Sequence, residues 1–436
     1  MRSFLLAFAA LTALAAPIAE AETLDEAMLH ALESNPTLAA ARARVNATRQ
    51  QLPQAWAEAL PQISASAGAT SSNFDSENPA SPTSNDKDWS AGLSASQLLF
   101  SSGRVWASTR QARATIAQSL ANFDNTEQTL LLDVTRAYAD VRQSQAIVAA
   151  REQTVRNLGA LFNFSSAQFN AGVVTRTDVA QSQARLAQAR TQLVQAQGQL
   201  AARIESYQRL VGHPPADLQA PPQAANLPTT LDMALDAAGR ENPSLIAAIA
   251  AEDAADAAVL SAYSNFGPQV SLEGSASRGG GPDAGDFDSR SESVGVRLSI
   301  PLFTGGANLS RARQQRALRS AANLDVAAAQ RSVRESVTTA WTGLQSAQSA
   351  VVSAREQVEA AELAYRGVRL EQETGLRSTV EVLDQEQDLL DARLALAQAE
   401  RDLVVAERQV LALLNALTPA QGDADIPGAV SDIRGR

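Results

Sequence analysis

Residues 293–302 read Ser-Val-Gly-Val-Arg-Leu-Ser-Ile-Pro-Leu. Val294, Val296, Leu298, Ile300 and Leu302 alternate with Ser293, Gly295, Arg297 and Ser299. In an extended chain, successive side chains point to opposite faces, so this period of two describes one apolar and one polar face. Residues 269–277 follow the same rule. Val270, Leu272, Gly274 and Ala276 stand against Gln269, Ser271, Glu273, Ser275 and Ser277. Two weaker runs lie earlier in the chain. Ile63, Ala65, Ala67 and Ala69 oppose Ser64, Ser66, Gly68 and Thr70, and Trp89, Ala91, Leu93 and Ala95 follow. Strands are therefore expected over about 62–72, 89–100, 268–277 and 292–302. Each is close to the roughly ten residues that cross a bilayer as a tilted strand. The connecting loops are expected to be polar and acidic, with Asp75, Glu77, Asp86 and Asp88 in the first and Asp283, Asp286 and Asp288 in the second.

Four strands cannot close a barrel, and open edges in lipid leave unpaired backbone groups costing several kcal/mol each. A membrane location thus requires several chains. About eight strands enclose an interior just filled by side chains, and a trimer would be the first multiple of four with an open lumen. The small polar residues of the second face suit such a lumen. Two hairpins capping a soluble helical protein remain the competing arrangement on this pattern alone.

The chain is one unit written twice. Thr23-Leu24-Asp25 recurs as Thr230-Leu231-Asp232, Asn35-Pro36 as Asn242-Pro243, and Pro61-Gln62 as Pro268-Gln269. Farther on, Phe100 matches Phe303, Tyr138 matches Trp341, Gly172 matches Gly375, and Asp178 matches Glu381. Matched punctuation in one order marks a duplicated unit. The first repeat is assigned to 22–212 and the second to 230–417, with a proline-rich linker at 213–229 and an irregular tail at 418–436. Each copy has one order of elements. A helix is expected from Leu24 to about Leu60 and from Leu231 to about Phe266, then the strand pair. A very long helix is expected from Ser101 to about Phe169 and from Gly305 to about Glu373. A glycine break at Gly172 or Gly375 precedes a returning helix, from Thr177 to about Val211 and from Thr379 to about Leu417.

Helices of this length cannot be sheltered inside one globule and must lie against other long helices. The returning helix carries a sevenfold column of Val179, Leu186, Leu193, Leu200 and Tyr207. Its counterpart carries two: Val382, Leu389, Leu396, Leu403 and Val410, and beside it Leu383, Leu390, Ala397, Val404 and Leu411. Period seven produces coiled-coil seams, and two adjacent columns imply packing on two sides.

Composition narrows function. Among 436 residues, Asp+Glu (47) exceed Lys+Arg (36), leaving a net charge of −11, which argues against nucleic-acid binding. There is no cysteine, hence no disulfide, thiolate metal site or lipidated cysteine. Lys87 is the only lysine, which excludes a P-loop. Gly279-Gly280-Gly281 has no following lysine and is assigned to a loop, and His30 and His213 are assigned to a helix and the linker rather than to a metal. No catalytic constellation, cofactor site or metal site is expected. Residues 1–21 have the form of a cleaved secretory signal, with Arg2, an apolar run from Phe4 to Ala16, and Ala19-Glu20-Ala21 before Glu22.

The sequence around the second glycine break, Gly375-Leu376-Arg377-Ser378-Thr379-Val380-Glu381-Val382-Leu383-Asp384, resembles the TolC family of outer-membrane efflux proteins. So do the paired Asn-Pro and Pro-Gln signals and Phe100-Ser-Ser-Gly-Arg104. The likeness runs from about Thr23 to Leu417. It implies a mixed, mainly α fold with long coiled-coil helical hairpins and four β-strands per chain. As a homotrimer, these would form a 12-stranded outer-membrane β-barrel continued by a periplasmic α-helical tunnel. It further implies an exit duct for efflux or type I secretion, set in outer-membrane lipid and served by a periplasmic adaptor and an inner-membrane pump. The 213–229 linker and the tail would lie in an equatorial belt. Gly172, Val173 and Val174, with Gly375, Leu376, Arg377 and Ser378, would be the adaptor-docking tips. Glu381 and Asp384 would line the tunnel gate, with Arg377 holding it closed. Ser378 and Glu381 also fit a helix capping box. The tyrosine that family members often place in the tip network is replaced here by Glu371, Gln372 and Glu373. A non-pore periplasmic coiled-coil scaffold is the alternative from another class.

Overall fold

Asn35 and Asn242 each stand directly before a proline, and both adopt extended backbone, with ψ of 121° in each case. A proline disfavours helical geometry in the residue before it. The single opening helix expected in each repeat is therefore divided. In the computed structural model, which describes residues 22–74, 84–281 and 289–419, the first repeat opens with α1 (Leu24–Ser34), α2 (Pro36–Arg49) and α3 (Gln51–Ala57). The second break follows from Pro53, which has no N–H to donate to the Arg49 carbonyl. Each asparagine then caps the next helix. Asn35 Oδ1 accepts from Thr37 N at 2.9 Å, and Asn242 Oδ1 from Leu245 N at 3.2 Å.

The rest follows in order: β1 (Gln62–Phe74), β2 (Ser84–Phe100), α4 (Arg104–Asn170), α5 (Arg176–Val211), α6 (Leu231–Glu241), α7 (Pro243–Ser264), β3 (Gln269–Gly280), β4 (Ser289–Ser299), α8 (Ala307–Glu373) and α9 (Thr379–Leu413). The two long helices have 67 residues each. Strand β2 starts earlier than the alternation suggested, so Asp86 and Asp88 belong to a strand rather than a loop. Gly279 and Gly280 likewise close β3. Asp75, Glu77, Asp283, Asp286, Asp288, the signal segment and most of the tail lie outside the described residues.

The strands form one antiparallel sheet in the order β1-β2-β3-β4. Its register sorts the residues by polarity. Ser64, Ser94, Ser275 and Ser293 make one row across all four strands, with hydroxyl contacts of 2.7 Å (Ser64 to Ser94) and 2.9 Å (Ser275 to Ser293). The next row, on the opposite face, is Ile63, Ala95, Gly274 and Val294. That apolar face is open: Val294 is 84% exposed and Val296 67%. Arg297 and Glu273 pair at 2.7 Å on the polar face.

The chain divides into two compact units that cut across the sequence repeats. One draws on Ala40–Asn125 and Gly239–Val333 and holds the sheet. There, Ser102 Oγ donates to the Pro268 carbonyl at 2.7 Å, Asn308 Nδ2 donates to the Asn265 carbonyl at 2.8 Å, and Arg319 pairs with Asp256. The other draws, among the described residues, on 22–39, 126–238 and 334–419. It contains both helical turns and the linker. In it, Arg408 Nη2 donates to the Pro222 carbonyl at 2.6 Å, and buried Glu407 accepts from Ala224 N at 3.1 Å.

In this second unit the two columns of α9 enter two buried clusters, which share Leu161 of α4 at their edge. Leu383 packs with Leu158 of α4 and Leu186 and Ala189 of α5. Its neighbour Val382 packs with Tyr365 and Val368 of α8. One helix is thus buried from two sides by residues adjacent in sequence, as two columns one position apart require.

Candidate functional site

The two helical turns are built alike. Gly172 ends α4 with φ +77°, and Gly375 ends α8 with φ +79°. Val173 N then donates to the Gln168 carbonyl and Leu376 N to the Glu371 carbonyl, both at 2.9 Å. This left-handed glycine closure satisfies the last carbonyls of each helix. It leaves Val173 70% and Leu376 78% exposed, while Val174 is only half-buried. The chain re-enters a helix at once through a capping box on each side. Thr175 exchanges hydrogen bonds with Asp178, and Ser378 with Glu381.

The Glu381 carboxylate is fully engaged. One oxygen accepts from Ser378 N at 2.8 Å and from the Ser378 hydroxyl at 3.1 Å. The other accepts from Arg377 Nη1 at 3.0 Å. Arg377 Nε donates to Glu371 at 2.8 Å, so the guanidinium bridges the end of α8 to the start of α9. The Ser378 backbone N–H, then Arg377 and the Ser378 hydroxyl, hold the Glu381 carboxyl below the usual carboxylate range. Glu371 is thus the residue that Arg377 grips across the turn.

Asp384, one turn along α9, has a different partner. Its carboxylate accepts from Arg185 of α5 at 3.3 Å, a tie between the two hairpins. Two residues on, Glu386 supplies a second tie. It is 2% exposed, and both its oxygens accept from Asn157 Nδ2 of α4, at 2.9 and 3.1 Å. Burial raises its carboxyl above the ordinary range, opposed by donors that include Asn157, Thr154 and Tyr365. Burial, then the neighbouring Glu386 charge, pushes the Tyr365 hydroxyl up to about 12. Sequence reasoning passed over Glu386, although it shows a signal. It stands three or four residues from Val382, Leu383, Leu389 and Leu390, so it is a carboxylate in an apolar stripe.

His30 lies in α1 and His213 just after α5, as expected, and the two rings meet. Their ring centroids are 5.1 Å apart, and the His213 ring lies 6.3 Å from Tyr207. Nothing in the local sequence brings residues so distant together; the folding of α1 against α5 does. Among the described residues no group of three or more His, Cys, Asp or Glu could hold a metal, and no helix is long and apolar enough to cross a membrane.

The profile of the family described as outer membrane efflux protein matches residues 28–213 and again 234–416. The outer membrane efflux protein BepC of Brucella suis is 31% identical over 408 residues, covering 93% of this chain and 87% of its own length. The outer membrane protein TolC of Vibrio cholerae is 27% identical over 414 residues, covering 91% of this chain and 92% of its own. The crystal structure of the outer membrane protein VceC from Vibrio cholerae superposes with a TM-score of 0.77 at 20% identity, over 90% of this chain and 96% of that one.

Proposed function

The chain belongs to the outer membrane efflux protein family, and from that premise we propose how its parts divide the work of an exit duct. The protein is an outer-membrane channel of a tripartite efflux or secretion system and not an enzyme. Three copies close their four-stranded sheets into one barrel, with Val294, Val296 and Leu298 toward lipid and the serine rows toward the lumen. The long helices continue that wall on the periplasmic side. The two sequence repeats, 22–212 and 230–417, each supply two strands and one helical hairpin to it, and residues 1–21 are removed on export.

The observation that carries this is the sheet itself. It exposes large apolar side chains on one face, and β1 and β4 have no outer strand partner among the described residues. In water such a surface invites aggregation; in lipid, closed edge to edge, it is satisfied. The turns at Gly172-Val173-Val174 and Gly375-Leu376-Arg377-Ser378 dock the adaptor, because Val173 and Leu376 offer exposed apolar groups at rigid closures. Glu381, Asp384 and Arg377 form the gate, with Arg377 steering Glu381 and Arg185 restraining Asp384.

Detergent extraction of membranes followed by gel electrophoresis should give heat-resistant trimers, and those trimers should conduct ions across a planar bilayer. A water-soluble, non-conducting monomer would eliminate the duct in favour of a periplasmic scaffold.

A further inference from the structure

Glu22 is a surface-type residue at an extreme of the described chain, yet it is 6% exposed and every polar atom it has is engaged. Its N–H donates to the Asp217 carbonyl at 2.9 Å, and its carbonyl accepts from Gln219 N at 3.0 Å. That carbonyl also accepts from the Tyr138 hydroxyl at 2.9 Å. Of its carboxylate oxygens, one accepts from the fully buried Tyr207 hydroxyl and the other from Ala216 N at 3.1 Å. A buried carboxylate is stabilised by an opposite charge close by. Among the described residues, Glu22 has no arginine or lysine partner. The basic group in ion-pair contact with its carboxylate is His213, whose Nε2 stands 3.6 Å away.

We propose that the α-ammonium group freed at Glu22 by removal of residues 1–21 is itself a ligand of this Tyr138–Tyr207–His213 cluster and supplies the positive charge its carboxylate lacks. The proposal rests on cleavage after Ala21. Hydrolysis of the Ala21–Glu22 amide by water places the carboxylate on Ala21 and the amine on Glu22, where it takes up a proton. The Glu22 nitrogen already points one donor at the Asp217 carbonyl, so the new group forms where an acceptor is waiting. Processing thereby completes the contact that joins the start of α1 to the linker and to α4 and α5. The other titratable or charged groups facing the cluster are Glu26 and His30 of α1, Arg142 of α4 and Asp217 of the linker. Burial lifts Tyr138 and Tyr207 far above the ordinary tyrosine range, so neither ionises in the experiments below.

The amine inventory permits a direct test. Lys87 is the only lysine, so the processed chain holds two primary amines. Purified trimers are treated with an acetylating N-hydroxysuccinimide ester and analysed by peptide mass spectrometry. The first peptide should begin at Glu22; a different mature start overturns the proposal through its premise. With that start confirmed, the Glu22 amine should react about tenfold or more slowly than Lys87 in the native trimer and freely after unfolding. Equal reactivity overturns the proposal and leaves the cleavage intact.

A second measurement inserts Gly-Ser between Ala21 and Glu22, moving the ammonium away while keeping the Glu22 side chain. The thermal midpoint of the helical signal should fall by about 3 °C or more near pH 7. An ammonium beside a buried carboxylate holds its proton more tightly when folded, so its contribution is present near neutrality and lost as pH rises past the α-amino range. The difference should therefore shrink toward about pH 10, and it should be smaller in the Glu22→Gln background. An insertion cost independent of pH and of that substitution overturns the proposal.

Discussion

Arg377 shows how much a single side chain at the tip can organise. It spans Glu371 and Glu381 at 2.8 and 3.0 Å, but all three groups are about half exposed, so solvent screens each pair and the contribution to stability is small. The capping interaction is worth more. Ser378→Ala should cost about 1 kcal/mol of stability, read as a lower thermal midpoint of the helical signal. Because Asp178 and Glu381 are held below the ordinary carboxylate range by their capping donors, these caps persist above that range and fail as pH falls through their own values. Glu386 behaves in the opposite sense. Burial raises it, so stability falls as pH climbs from the ordinary carboxylate range to its raised value. Glu386→Gln should raise the thermal midpoint near pH 7 and leave it unchanged near about pH 4; a pH-independent effect would contradict this account. The capping pair was legible because a box is a local pattern. The Arg185–Asp384 and Asn157–Glu386 ties were not, since each joins residues roughly two hundred positions apart.

At the level of elements, alternation and period-seven columns identified the strands and the returning helices, and glycine marked both turns. The opening helices were misjudged because the Asn-Pro pairs served as repeat markers and not as breaks. Their physical effect is local and readable: proline forces Asn35 and Asn242 out of helical geometry. The early start of β2, which takes in Asp86 and Asp88, was hidden because pairing with β1 overrides the weak strand preference of Asp. The sheet register yields a paired prediction. Val296→Arg, on the apolar face, should lower barrel stability by about 2–4 kcal/mol if it sits near the bilayer midplane. Ser293→Arg, in the serine row of the other face, should leave heat-resistant trimers intact and reduce single-channel conductance. Equal damage from both substitutions would refute the assignment of faces.

For the whole molecule, the decisive quantity is how many chains close the wall. In the trimer proposed above, three copies of Glu381 and Asp384 would meet at one mouth. Inside one chain Glu381 is stabilised in its charged form, but neighbouring copies would oppose this by mutual repulsion. Neutralising both, Glu381→Gln with Asp384→Asn, should change conductance and weaken its block by divalent cations in planar bilayers. Unchanged currents would remove these residues from the gate without touching the fold. If the tips dock the adaptor as proposed, Leu376→Asp should reduce cross-linking to it while conductance stays as before, because Leu376 is 78% exposed at the turn.

Periodicity, capping signals and the duplicated punctuation are properties of neighbouring residues. From them alone follow the mainly α architecture, the four strands and the two glycine turns; the need for more than one chain follows only once the strands are placed in lipid. What the sequence could not show is which distant residues meet. The two buried clusters entered by Val382 and Leu383, the paired histidines and the buried socket of Glu22 all depend on long-range packing. Contacts of that kind are set by the joint burial of many side chains and leave no periodic trace in any one segment.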